Sequence, residues 1–214
     1  PGGEDGGAVS CTGVTESTFN LDIALRLRDL MHLLGMDTVM TRDTDRSIHT
    51  GGETIAARKV SDLKERVRVV QETENAILIS IHQNTFCDSR YGGAQVFYGA
   101  GEGSNALARG LQTLFAETVN PGSNRKAKPS TGVYLMEHIQ NPGVLIECGF
   151  LSNPAEEQKL LTSEYQALLG EAIAQGAAEY WRIRPQGASL PEEDGIRPGA
   201  TTLRVGHARA DVTQ

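Results

Sequence analysis

The sequence predicts an α/β fold, with a single mixed, mostly parallel sheet flanked by helices on both faces. Three observations carry this expectation. Helix-period segments alternate with short apolar runs along most of the 214 residues. The runs Ala76-Ile77-Leu78-Ile79 and Val144-Leu145-Ile146 show no polar alternation, so both faces of those strands should be covered. Glycine, proline and asparagine collect between the segments, where they mark turns.

Taken in order, residues 20–34 place Ile23, Leu27, Leu30, Met31 and Leu34 on one helical face, and Gly35 ends the helix. Residues 37–42 read as a strand and "RDTDR" after them as a polar turn. Residues 53–73 carry Ile55, Val60, Leu63, Val67 and Val70 on a helix laced with Lys, Arg and Glu. The strand ending at His82 follows, then "GAQVFYG" (93–99) as another. A helix over 104–119 has Leu107, Leu111, Leu114 and Phe115 at helical spacing, and 120–130 is a loop by composition. "GVYLME" and "GVLIECGF" read as two further strands. Asn153, Pro154 and Glu156 form a helix-start signature, and a last helix spans 163–182. This gives a domain over residues 1–184. Residues 185–214 are composed like a linker or the start of another segment and are expected to add little to the core.

Composition narrows the function classes. Twenty basic against 27 acidic residues leave a net charge of −7, with no basic stripe to neutralise phosphates, which argues against a nucleic-acid partner. No apolar run approaches the length of a transmembrane segment, and no signal peptide is recognisable. The chain opens on Pro1-Gly2-Gly3 rather than Met and reads as cut from something longer. Three widely spaced cysteines (Cys11, Cys87 and Cys148) argue against a disulfide framework or a cysteine zinc cage.

In an open α/β sheet the carboxyl ends of the strands face the ligand crevice. His82 stands at one such end, with Asn84 just beyond it, and Glu147 at another. A lone histidine there reads first as a core-edge residue bonding a carbonyl. The carboxylate is harder to explain in that way. Directly after Val144-Leu145-Ile146 it costs several kcal/mol unless it is paired, protonated or bound to a metal. Two polar residues at the tips of two buried strands point to a site.

At these residues the sequence resembles a known family. "SIHQN", "VLIECGFLSN", "VMTRDTD" and the opening "GGEDGGAVSCTGVTESTFNLDIALRLRDLM" together resemble the zinc-dependent N-acetylmuramoyl-L-alanine amidases, of the catalytic-domain type of bacterial autolysins and sporulation amidases. The resemblance covers residues 1 to about 182, with four motifs in order. It implies one zinc ion held by Glu16 and His82, with Glu147 as the catalytic residue. It also implies that the substrate is peptidoglycan, cleaved at the amide between N-acetylmuramic acid and L-alanine. A secreted or cell-envelope location and action as a monomer go with this reading. Without the resemblance, Glu16 reads as a first-turn glutamate favoured by the helix dipole. The implied chemistry is consistent: three N/O ligands leave a position for water and lower its pKa to about 7.

The family's first histidine ligand, expected next to Gly2 and Gly3, is absent, and no strand precedes it. A catalytically inactive peptidoglycan-binding module is therefore the alternative. His32 lies on an amphipathic helix and His49 in a polar loop, and neither is a good substitute. His138 is a candidate for the substrate groove, with Asn84, against a plain loop histidine. His207 lies in the tail. Cys148 should face away from Glu147 as an inert thiol, and Cys87 lacks the partners of a nucleophile. "GGEDGG" lacks the strand and lysine of a phosphate loop, and its glycines suit backbone passing close to a metal. "SNRKAKPS" reads as a solvated loop or a basic rim. Arg66 and Asn75 read as structural. Only eight residues, 85–92, separate the His82 strand from the next, too few for a helical plug, so an open groove is expected.

Overall fold

The structure, a computed structural model, describes residues 1–183 and 208–213. Its sheet has the strand order β1-β6-β2-β5-β3-β4, with β1 (Met36–Met40), β2 (Ile77–Asn84), β3 (Gln95–Tyr98), β4 (Lys128–Pro129), β5 (Gly143–Phe150) and β6 (Ala208–Thr213). The β2 and β5 strands pair in parallel, and β3 runs antiparallel to β5. The mixed, mostly parallel sheet matches the sequence expectation. The linker-like reading does not hold for residues 208–213. They form β6, parallel to both β1 and β2, and pair the backbone groups that those strands turn toward each other. The rest of that reading, residues 185–207 and 214, lies outside the described residues, as does His207.

Helices cover both faces. On one lie α1 (Glu16–Leu33), α3 (Ser104–Leu114) and α6 (Ser163–Ile183). Phe19, Ile23, Leu27 and Met31 of α1 meet Ile77, Ile79 and Ile81 of β2 and Val144, Ile146 and Cys148 of β5. On the other face, Leu78 and Leu145 pack with Val70 of α2 (Ile55–Glu72) and with Leu135, Met136 and Ile139. Two covered faces explain why these strands are apolar without interruption. Burying a side chain the size of Ile or Leu contributes about 1.5–3 kcal/mol.

Three expectations are corrected. "GVYLME" is not a strand: Tyr134–His138 form the one-turn helix α4. Leu135, Met136 and Ile139 are then spaced as on a helix and reach the smaller core together, which an extended segment could not achieve. The 104–119 helix changes character, with Phe115–Val119 forming a π-helical turn. On α2 only Arg66 and Val70 are buried, and Ile55 and Val60 face outward. The expected helix start after Asn153 is there. In α5 (Pro154–Leu160) the Asn153 side chain accepts from the amides of Ala155 and Glu156.

Glu156 itself turns inward, and its buried carboxylate accepts from the amides of Gly93 (2.8 Å) and Phe150 (3.0 Å). Replacing it by alanine leaves two buried amides unpaired, at about 1–3 kcal/mol each. Glu156→Ala should therefore lower the melting temperature by roughly 5 °C or more, whereas Glu156→Gln, which keeps an acceptor, should lose less. A calorimetric melt showing equal values for all three proteins would contradict this role.

Candidate active site

The site begins at the first turn of α1. Thr15 caps the helix, the Glu16 amide donates to the Ala8 carbonyl (2.7 Å) and the Ser17 amide to that of Gly6 (3.0 Å), so residues 6–8 fold back on the helix start. The buried Glu16 side chain then turns toward the sheet. Its Oε1 accepts from His82 Nδ1 (2.9 Å), Asn20 Nδ2 (3.2 Å) and the Gln83 amide (3.3 Å), and its Oε2 from the Ala8 amide (3.1 Å). A carboxylate can only accept, so the His82 proton in this contact is on Nδ1.

The β2 alternation sets the direction of His82. Ser80 and His82 face the α2 side, and both line a cavity of about 270 Å³ together with Glu16, Gly7 and Pro1. His82 is the parallel register partner of Glu147, which places the two side by side on one face of adjacent strands. Glu147 Oε2 is buried without a hydrogen-bond partner among the described residues. Sequence positions 66 apart are thus in direct contact at Glu16 and His82, with Glu147 beside them.

The sequence profile of the N-acetylmuramoyl-L-alanine amidases matches residues 1–179. The chain belongs to this amidase family, and it is an enzyme of that class. The germination-specific N-acetylmuramoyl-L-alanine amidase of Bacillus subtilis (strain 168) is 36% identical over 182 residues, covering 84% of this chain and 76% of that protein. The structure of the CwlD amidase from Clostridioides difficile, in complex with the GerS lipoprotein, superposes with a TM-score of 0.82 at 34% identity. It covers 86% of this chain and 95% of that one. The catalytic domain of CwlV from Bacillus (Paenibacillus) polymyxa var. colistinus gives a TM-score of 0.72 at 28% identity, over 86% and 94% of the two chains.

Electrostatics separate the amidase's two carboxylates. Burial alone would push Glu16 up, but the hydrogen bond and charge of His82, with the Ala8 amide and Asn20, outweigh it and hold the carboxyl down at about 2. Burial lowers His82, which is neutral near pH 7. Glu147 has no such donors. Burial first, and then the charge of Glu16, push it up to about 8.

Metal donors are present in part. Two ligands on a tetrahedral zinc with bonds near 2.0 Å lie about 3.3 Å apart, and Oε1 of Glu16 and Nδ1 of His82 are close to that separation. The two donors fit. Among the described residues no third His, Cys, Asp or Glu joins them to make a group of three. On the chain's opening segment the group that reaches Glu16 is the Ala8 amide, and no histidine stands among residues 1–15. Gly7, at φ 72°, shows how close the packing is: a Cβ there would run into Glu16 Oε2 and lie 2.8 Å from Pro1 Cγ. Gly2 lines the cavity, and Gly3 turns instead to the 45–47 loop, its amide donating to Asp45 Oδ1 (2.9 Å).

The remaining candidates are placed differently. His138 is exposed on α4, stacked on Tyr134 (centroids 3.8 Å apart) with Nδ1 at the Tyr134 carbonyl, and it does not line the cavity. The groove reading of His138 therefore lacks a contact. Asn84 ends β2, half-buried, two residues past His82. His49, set aside in the sequence as a loop residue, does line the cavity, and its Nδ1 is buried without a partner among the described residues. The sequence reading passed over Ser80, although the strand alternation that singles out His82 also selects it. Gly7 belongs to the "GGEDGG" run, whose glycines suit a close backbone approach. Burial pushes the Cys148 thiol well above its ordinary range, in keeping with an inert core residue.

The raised Glu147 has a consequence for stability. Between about pH 4.5 and 8 the folded state holds a proton that the unfolded chain releases, so this group's contribution to stability falls as pH rises through that window. In metal-free protein, Glu147→Gln should flatten the decline between pH 5 and 8 and melt several degrees above the wild type at pH 8. Parallel melting curves across that range would show that Glu147 titrates normally.

Proposed function

We propose that the chain is a zinc-dependent amidase that cleaves the amide between N-acetylmuramic acid and L-alanine in peptidoglycan, acting in the cell envelope or outside the cell. The catalytic domain lies within residues 1–184. Glu16 and His82 would hold the metal, and Glu147 is the catalytic carboxylate. The observation that carries this is the contact of two ligand-type side chains beside a carboxylate whose Oε2 is buried without a partner among the described residues, near the carboxyl edge of the sheet. A bound zinc ion would supply an acidified water and polarise the scissile carbonyl. The third ligand would come from outside the described set of His, Cys, Asp and Glu donors.

The chain's own residues define the rest. The Asn20, Ala8 and Gln83 donors keep Glu16 ionised and its carboxylate fixed in one orientation. The Ser80 and His82 side of β2 forms the floor of the cavity. Glu147 takes a proton from the attacking water as its oxygen bonds to the lactyl carbonyl carbon. It delivers that proton to the nitrogen as the C–N bond breaks, and the remaining hydroxyl proton passes to the departing amine, leaving a lactyl carboxylate and an L-alanine ammonium. A carboxylate beside the attacking water can both take and return a proton.

Metal content and muropeptide cleavage test the reading together. Glu147→Gln should retain zinc while turnover falls by roughly two to four orders of magnitude. His82→Ala should lose both, because a vacated ligand position weakens the site itself. Glu147→Gln with wild-type release of L-alanine amino termini would remove Glu147 from the mechanism. Wild-type protein that binds wall fragments without releasing any termini would leave only a binding module.

A further inference from the structure

Residues 85–92 join β2 to β3, and these two strands lie on either side of β5. The connection therefore crosses the carboxyl end of β5, the edge at which His82 and Glu147 stand. None of the eight residues lines the cavity beside Glu16 and His82, and the segment forms no helix. It is fastened at three points, and a fourth bond follows just past its end. The Phe86 amide donates to Ser152 Oγ (2.9 Å), Asn153 Nδ2 to the Tyr91 carbonyl (3.1 Å), Arg125 Nη2 to the Gly92 carbonyl (2.7 Å), and the Gly93 amide to Glu156 (2.8 Å). A turn within it is closed by the Tyr91 amide on the Asp88 carbonyl and by the Asp88–Arg90 ion pair.

On this fixed backbone two aromatic rings face solvent. Phe86 and Tyr91 are 48% and 50% exposed, and their centroids lie 4.6 Å apart at an interplanar angle of 57°. Rings this large are normally drawn into the core, and an anchored loop that shows two of them together offers a preformed apolar surface. A ligand that stacks there need not order the loop, so little of the contact is lost to conformational entropy. Nucleobases are poor candidates for a chain of net charge −7. A pyranose fits better, because its C–H face is apolar while its hydroxyls stay in water. Phe86 is four residues beyond His82, at most about 13 Å of extended chain, a reach of one or two sugar rings.

We propose that Phe86 and Tyr91 form a stacking platform for the glycan strand of peptidoglycan, seating the sugar whose lactyl group carries the scissile amide. The identity of the sugar rests on the amidase reading above.

Calorimetric titration of the full chain with oligomers of alternating N-acetylglucosamine and N-acetylmuramic acid, stripped of their peptides, tests the platform. The Phe86→Ala/Tyr91→Ala double variant should bind about tenfold or more weakly, and Phe86→Trp should retain wild-type affinity. All three should melt together, because the rings are half exposed and the backbone anchors are untouched. With intact wall fragments the double variant should show a raised KM at unchanged kcat. Equal affinities for wild type and double variant would overturn the proposal, as would wild-type protein that does not bind the stripped glycan. These oligomers contain no amide to cleave in the stem, so an inert catalytic centre would leave the titration unchanged and would show only as absent amine release.

Discussion

The site depends on one buried carboxylate. Glu16 joins the opening segment, the start of α1 and the end of β2, three parts of the chain that no local contact brings together. An ionised carboxylate in that position carries a large desolvation cost, and it persists because four donors face it. Each donor is in turn fixed by the fold. Ala8 is held by the backbone bond to Glu16, Asn20 by one turn of α1, and Gln83 and His82 by the sheet. Removing any one of them weakens the case for the charge and, with it, the orientation of His82.

That charge also adds to the effect of burial on Glu147. Two carboxylates close together at one sheet edge do not ionise equally, and the one with the donors takes the charge. Glu16 has all four donors, and Glu147 Oε2 has none among the described residues. The asymmetry requires no motion and no third ionisable group. It follows from Glu147 standing on β5 directly after Val144-Leu145-Ile146, an apolar run that offers no side-chain donor, while Glu16 is met by the Ala8 amide of the folded-back opening segment, by Asn20 one turn on, and by His82 and the Gln83 amide at the end of β2.

The sequence made the sheet legible wherever burial is two-sided. The β2 and β5 runs are apolar because helices lie on both faces, so their pattern carries the fold class. It failed where an element is short or is settled by distant partners. The Val-Tyr-Leu of α4 favours a strand locally, but the smaller core needed Leu135, Met136 and Ile139 on one side of a turn. The polar residues of β6 announce no strand, and pairing with β1 and β2 decides it. At the site, His82 and Glu147 stood out as polar ends of apolar strands, whereas Glu16 was marked by family resemblance alone. Its local pattern is that of any acidic first-turn residue. Arg125 shows the same limit. Its loop reads as solvated, yet its guanidinium lies over the Phe150 ring and holds Gly92, contacts between segments far apart in sequence.

The charge distribution constrains how such an enzyme can hold its substrate. The cations around the cavity already have partners: Arg58 pairs with Glu4, Lys59 with Asp5, and Arg66 with Asp62. The first two pairs tie the opening segment to α2, the third lies within α2, and together they leave the cavity wall close to neutral. The chain as a whole carries −7, and a wall polymer bearing free stem-peptide carboxylates is also anionic. Long-range attraction therefore cannot draw the two together, and at physiological salt the field fades within about 8 Å in any case. Affinity has to come from short-range contacts that form only on arrival, such as donors aimed at the scissile group and apolar faces able to stack on a sugar. An anchored pair of exposed rings on the 85–92 connection supplies the last of these without adding charge.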